Sequence, residues 1–376
     1  MTEPRKIVLI LGNGFDLDLD LKTSYKDFWE SEFCPKDYPA PLISHLNSHW
    51  SDNLEGVKWY DLENELYYYA KNHISAGHRN DIITEEEREF LKIVKPEYIG
   101  FGLYHTNSDQ IGSLLQKGII IDDLTYNNRY RIPYKEDLLK SPVERDVIAL
   151  KLIKKGLCEY LKKNSFTTNK QKTIAYYVLL SILKAAESDD FVEIFTFNYT
   201  PVQRLGYVVD EVPVHYMHGS CDKGNVIIGT RDDTEIEDDY AFIQKAFDPT
   251  YYPPQLVSSL QAADEVIIFG HSIGENDRQY FKAFFKQQTD YSSTKSKDII
   301  IFTRDYSSEV QVKLALQNMT DGNLSTLFGL NKVQIIKSKV LEDDQDRFYD
   351  FLIAHNIDED FASGVIDKLL SAQQTR

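Results

Sequence analysis

Four short stretches of the chain place reactive side chains just after an apolar run. Gly12-Asn13-Gly14-Phe15-Asp16 follows Ile7 to Leu11, and Phe197-Asn198-Tyr199-Thr200 follows Phe191 to Thr196. His218-Gly219 follows Val214-His215-Tyr216-Met217, and Gly270-His271-Ser272 follows Val266 to Phe269, with Gly274-Glu275-Asn276-Asp277 beyond. Two glycines after a strand let the backbone approach a phosphate closely or form a generic strand-turn, and the third glycine of the dinucleotide fingerprint is absent; a second strand-glycine turn at Gly270 adds weight to one nucleotide cleft. His218, an imidazole at a strand end, is the candidate general base. Asn198 can donate and accept, so it can hold a ribose hydroxyl or an attacking water; equally, it can cap a helix opened by Pro201. Gly270 and Ser272 can meet a ribose or phosphate. Asn276 or Asp277 can cap the helix that carries Tyr280, Phe281, Phe284 and Phe285.

Metal chemistry finds little support in these patterns. His215 and His218 stand three apart on an extended strand, which sends their side chains to opposite faces, and His215 reads as a hydrogen-bonded structural histidine. Asp16, Asp18 and Asp20 imitate the first ligands of a calcium loop, but Leu21 stands where its glycine belongs and Asp27 where a bidentate Glu belongs. Ser24 and Asp27 form instead a capping box. No metal is expected. Glu63, in Trp59-Tyr60-Asp61-Leu62-Glu63, is a further candidate acid whose alternative is a first-turn residue favoured by the helix dipole.

The elements that must position these residues form a recognisable series. Branched apolar runs predict strands at Ile7 to Leu11, Phe191 to Thr196, Val212 to Met217, Val226 to Ile228, Val266 to Phe269, Ile299 to Phe302 and Val333 to Ile336. From 34 to 190 the period is helical, for example Leu62, Leu66, Tyr69 and His73, then Ile174, Val178, Ile182 and Ala185. Two amphipathic helices are expected between Asp344 and Leu370. The expected fold is α/β: a Rossmann-like, mostly parallel sheet with helices on both faces, formed by residues 1–33 and 191–376 and interrupted by a large α-helical insertion over 34–190. Ligands of such sheets sit beyond the carboxyl ends of the strands, where these motifs fall.

Composition narrows the function classes. The 376 residues carry a formal net charge of -17, which repels phosphate backbones and argues against nucleic acid as a partner. Three cysteines, Cys34, Cys158 and Cys221, lie far apart, so neither a disulfide framework nor a cysteine zinc site is expected. No leader precedes the first strand and no run of eighteen apolar residues occurs, so no membrane is expected and a cytoplasmic location is.

Taken in order, Gly12-Asn13-Gly14-Phe15-Asp16 with Thr23-Ser24-Tyr25-Lys26-Asp27-Phe28, Phe197-Asn198-Tyr199-Thr200, His218-Gly219 and Gly270-His271-Ser272 with Asp277 resemble the bacteriophage abortive-infection AbiH family over nearly the whole chain. The same series is similar, remotely, to the sirtuin NAD site, from which it departs by Phe197 in place of Gln, Asn13 in place of Ala and the lack of a four-cysteine zinc module. The resemblance implies an anti-phage effector with NAD as substrate. Asn198 and His218 would then be catalytic at the nicotinamide ribose, and Gly12, Asn13, Gly14, Asp16, Gly270, Ser272 and Asp277 would bind the nucleotide. It further implies a phage-derived or host protein trigger, and a homo-oligomer is an open expectation. Two alternatives remain at this point: a nucleotide-binding sensor or interaction module without chemistry, and a nuclease toxin.

Overall fold

The computed structural model describes residues 4–52, 62–76, 81–94, 98–99, 108–123, 129–164, 173–202, 212–292 and 295–374. Trp59, Tyr60 and Asp61 lie outside the described residues. The chain divides into two compact units, one formed by Met1–Phe28, Leu157–Ile227 and Pro249–Arg376, the other by Trp29–Gly156 and Ile228–Asp248.

The first unit is built on one six-stranded sheet. Its strands in chain order are β1 (Lys6–Leu11), β2 (Phe191–Thr196), β3 (Val214–Tyr216), β4 (Glu265–Phe269), β5 (Asp298–Thr303) and β6 (Lys332–Lys337). They lie side by side as β3-β2-β1-β4-β5-β6, every neighbouring pair parallel. A parallel sheet is covered on both faces, which is why its strands read as apolar runs without alternation. Successive side chains nevertheless point to opposite faces. Ile7, Leu9 and Leu11 pack with Ile267, Phe269 and Phe302 beneath helices Ile174–Glu187, Gln345–Ala354 and Glu359–Gln374. Val8 and Ile10 pack with Val266, Ile268 and Ile301 beneath helices Leu256–Ala262, Arg278–Gln287 and Tyr306–Met319. The fold is the expected Rossmann-like α/β sheet, and the two C-terminal helices are the ones read from the sequence.

This strand order is that of a doubly wound dinucleotide-binding sheet. The chain runs from β1 outward through β2 to β3, then returns to lay β4 on the other side of β1. The switch point therefore lies between the carboxyl ends of β1 and β4, where Leu11 pairs with Phe269.

Val226 to Ile228 is not a strand. It is a buried irregular segment in which the Ile227 amide donates to the His218 carbonyl at 2.9 Å. A three-residue apolar run looks the same in sequence whether it joins a sheet or covers one, so periodicity cannot separate the two cases. Within the segment read as helical, Tyr98–Ile99, Ile121–Asp123 and Arg129–Arg131 form a three-stranded antiparallel sheet. Strands of two or three residues are too short to show a period of two.

The second unit has its own apolar core, including Phe90, Leu91, Ile111, Leu114 and Ile132. It also has a buried polar centre: Asp146 accepts from the Leu42 amide (2.8 Å) and from the hydroxyls of Tyr69 (2.5 Å) and Tyr240 (3.0 Å). Among the described residues no helix is long and apolar enough to cross a membrane.

Burial sets the expected cost of truncation in the sheet unit. Leu9→Ala, at a fully buried position of the central strand, should destabilise the protein by about 2–5 kcal/mol, whereas Val310→Ala, on an exposed helix face, should stay within about 0.5 kcal/mol. Urea unfolding midpoints at constant slope measure both.

Candidate functional site

At the switch point the two glycine turns cross in contact. The Gly12 amide donates to the Phe269 carbonyl and the Gly14 amide to the Gly270 carbonyl, both at 2.9 Å. A Cβ at Gly12 would stand 2.5 Å from the His271 Cα, one at Gly14 2.7 Å from the Gly270 Cα, and one at Gly270 2.3 Å from the Phe15 nitrogen. Gly270 also has φ +65°, a conformation that L side chains rarely adopt. These glycines let one turn of backbone lie on another, and two amides expected to face a pyrophosphate are held inside that crossing.

Helix Asn13–Asp18 starts directly after Gly12 and turns Asp16 inward, where it is buried. Asp16 accepts from Asn198 Nδ2 (2.8 Å) and from Thr200 Oγ1 (2.7 Å). The second proton of the Asn198 amide goes to the Gly12 carbonyl (3.0 Å). Both neighbours are acceptors, which fixes the amide's orientation with NH2 toward β1 and only Oδ1 left to accept. Asn198 is thus first a clamp joining the end of β2 to the β1 turn. Burial raises the Asp16 carboxyl to about 7, against the opposing effect of hydrogen bonds from Thr200, Asn198 and Thr23.

Beside this clamp, two histidines converge on one carboxylate. His218 Nε2 faces Asp277 Oδ1 at 3.3 Å and His271 Nε2 faces Asp277 Oδ2 at 3.2 Å; both imidazoles are buried. Asp277 occupies the N-cap position of helix Arg278–Gln287 but its side chain makes no capping bond, so the cap reading gives way to the contact with the two rings. Phe197 packs against both imidazoles, its centroid 5.3 Å from His218 and 4.3 Å from His271, with Phe281 5.1 Å from His271 and Tyr280 6.3 Å from His218. After His218 the chain turns at Gly219 with φ +75°, where a Cβ would meet the Asn225 carbonyl at 1.9 Å.

The remaining sequence candidates fall as follows. Asn13 lies beside the site, its Oδ1 accepting from Thr23 Oγ1 at 3.0 Å. Ser272 is exposed, next to His271. His215 stacks on Phe195 at 4.6 Å and faces Glu193 at 3.4 Å as an ion-pair contact, and its Nε2 lacks the hydrogen bond read from the sequence. Asp18 accepts from the Ala175 amide and pairs with Lys339, both at 2.9 Å, so it does not face the same way as Asp16. Glu63 belongs to the second unit, where it pairs with buried Lys245 at 3.0 Å. The Asp27 amide donates to the Ser24 hydroxyl at 3.1 Å, the first half of the expected capping box, while the Asp27 carboxylate accepts from that hydroxyl rather than from the Ser24 amide. Sequence reasoning assigned no part to His271 or Phe197; the adjacency of His271 to Gly270 at a strand end was the signal available. Among the described residues no three His, Cys, Asp or Glu side chains come together as a metal site.

Chemically, the arrangement offers a buried imidazole with a carboxylate partner at the carboxyl edge of the sheet, next to the switch point. A carboxylate facing one ring nitrogen sets the tautomer and favours the imidazolium formed when the other nitrogen takes a proton. A family model described as bacteriophage abortive infection AbiH matches residues 8–297, a span that includes every residue of this cluster. No curated protein and no solved structure matches the chain.

The raised Asp16 carboxyl has a signed consequence for stability. Its folded value near 7 lies above its unfolded value of 3.8, so its contribution is complete below about pH 4 and is lost as pH rises to about 7, a change on the order of 4 kcal/mol. Asp16→Asn does not titrate there. Unfolding free energies of the two proteins across this range should therefore diverge progressively, and parallel curves would show that Asp16 ionises normally. Gly270→Ala, which meets both a positive φ and the Phe15 nitrogen, should cost more than about 2 kcal/mol in the same assay.

Proposed function

The chain belongs to the bacteriophage abortive-infection AbiH family and is an anti-phage protein; from that premise we propose that it acts by cleaving NAD at the bond between nicotinamide and ribose. The observation that carries this reading is the pairing of buried His218 with Asp277 at the carboxyl edge of a sheet whose strand order is that of dinucleotide-binding folds. The order of Asn198, His218 and the late glycine turn along the chain, similar to the sirtuin NAD site, gives the reading its substrate.

In the reaction the carbon–nitrogen bond breaks with its electron pair leaving on nicotinamide. A water oxygen bonds to the ribose carbon through an oxocarbenium-like state. The proton released by water, or by a ribose hydroxyl that assists it, passes to His218. Asp277 holds the ring and stabilises its protonated form. Asn198 acts through Oδ1 as an acceptor for the water or hydroxyl, its two amide protons being committed to Gly12 and Asp16. Removing the base from such a step lowers rate by about 10²–10⁴-fold.

NAD measured over time in cells challenged with phage should fall with the wild-type chain and hold steady with His218→Ala expressed at the same level, and phage protection should follow NAD. Asn198→Ala is the poorer probe, because leaving the Gly12 carbonyl without its side-chain donor and Asp16 with one donor fewer should cost about 1–3 kcal/mol in stability. Protection by His218→Ala equal to wild type, with NAD unchanged in both, would end the cleavage reading in favour of a sensor without chemistry.

A further inference from the structure

We propose that His271 is a positioning residue of this site, which holds Asp277 in place and so fixes the tautomer of His218. The inference rests on the reading of His218 as the proton acceptor. Its geometry starts at the backbone: the Ile273 amide donates to His271 Nδ1 at 2.9 Å. A ring nitrogen that accepts a hydrogen bond carries no proton, so neutral His271 bears its proton on Nε2, and that nitrogen stands 3.2 Å from Asp277 Oδ2. Oδ2 thus faces His271, and Oδ1 lies in ion-pair contact with His218 Nε2 at 3.3 Å, without the geometry of a hydrogen bond. A carboxylate facing Nε2 favours the proton there and leaves Nδ1 of His218 as the basic nitrogen.

The loop that delivers the Ile273 amide is strained. Ile273 has φ +51° and is buried. A β-branched residue in that region costs on the order of 1–3 kcal/mol and persists only where its surroundings hold it. What the turn gains locally is the Ile273 amide aimed at His271. Phe197 and Phe281 pack against the His271 ring, so its plane as well as its tautomer is set by the fold. A direct route from the β4 turn to the reacting histidine results: Ile273 amide, His271, Asp277, His218.

Two substitutions separate this role from mere packing. In His271→Asn the side-chain oxygen can still accept the Ile273 amide, but nothing reaches Asp277. His271→Gln can place a donor near the position of Nε2. Full-length chains labelled isotopically at histidine report the His218 tautomer through the ring-nitrogen shifts at alkaline pH, with His218→Ala to assign the signals. The expected result is a predominantly Nε2–H tautomer in wild type, a mixture in His271→Asn and a return toward wild type in His271→Gln. In NAD cleavage, His271→Asn should lower kcat by about tenfold to a hundredfold with KM little changed, as for other residues that orient a reacting group from behind, and His271→Gln should recover most of it. A His218 tautomer identical in wild type and His271→Asn overturns the proposal whatever happens to NAD. A tautomer that follows His271 while wild type cleaves no NAD sustains the positioning role and overturns the cleavage reading alone.

Discussion

The site depends on two turns of backbone touching where β1 and β4 end. Because Gly12, Gly14 and Gly270 have no side chains, the β1 turn can donate two amide-to-carbonyl bonds of 2.9 Å to the β4 turn across the switch point. That contact brings the β1 turn, with Asp16, and the β4 turn, with His271, to a shared position at the carboxyl edge. Any side chain at these glycines would separate the turns, and the clamp and the histidine pair would no longer meet at one edge of the sheet. The glycines of a strand-turn-helix are usually discussed as room for a ligand; here they first make room for the protein itself.

Around that crossing the polar groups divide into two tiers. Asp16, Asn198 and Thr200 form a buried clamp whose donors and acceptors face one another, and burial rather than any charged neighbour keeps its carboxyl protonated into the neutral range. His218, Asp277 and His271 form the second tier, walled by Phe197, Tyr280 and Phe281. Asp277 turns one oxygen to each imidazole, Oδ1 to His218 and Oδ2 to His271. The division explains why an asparagine that looks catalytic from its position at a strand end is held so firmly by its neighbours.

The glycine crossing also bears on ligand binding. With the Gly12 and Gly14 amides engaged in the fold, a nucleotide approaching this edge would have to be recognised by side chains and by loop atoms other than those two amides. Asn13 and exposed Ser272 border the site. This differs from a glycine-rich loop that cradles phosphate with its own amides.

Much of this architecture is legible in residue order. Apolar runs without alternation demand a sheet covered on both faces, and the series of strand-end motifs places the reactive residues at one edge, because in a parallel sheet all carboxyl ends lie together. The AbiH family match spans the same motifs. Local sequence does not contain distance. That Asn198 would direct both amide protons inward, that Asp277 would face two histidines instead of capping its own helix, and that His271 would belong with His218 all follow from the side-by-side order β3-β2-β1-β4, which is set by the winding of strands nearly two hundred residues apart. The short strands at Tyr98, Ile121 and Arg129 and the irregular segment at Val226 escaped the sequence for a simpler reason: a periodic signal needs more residues than these elements have.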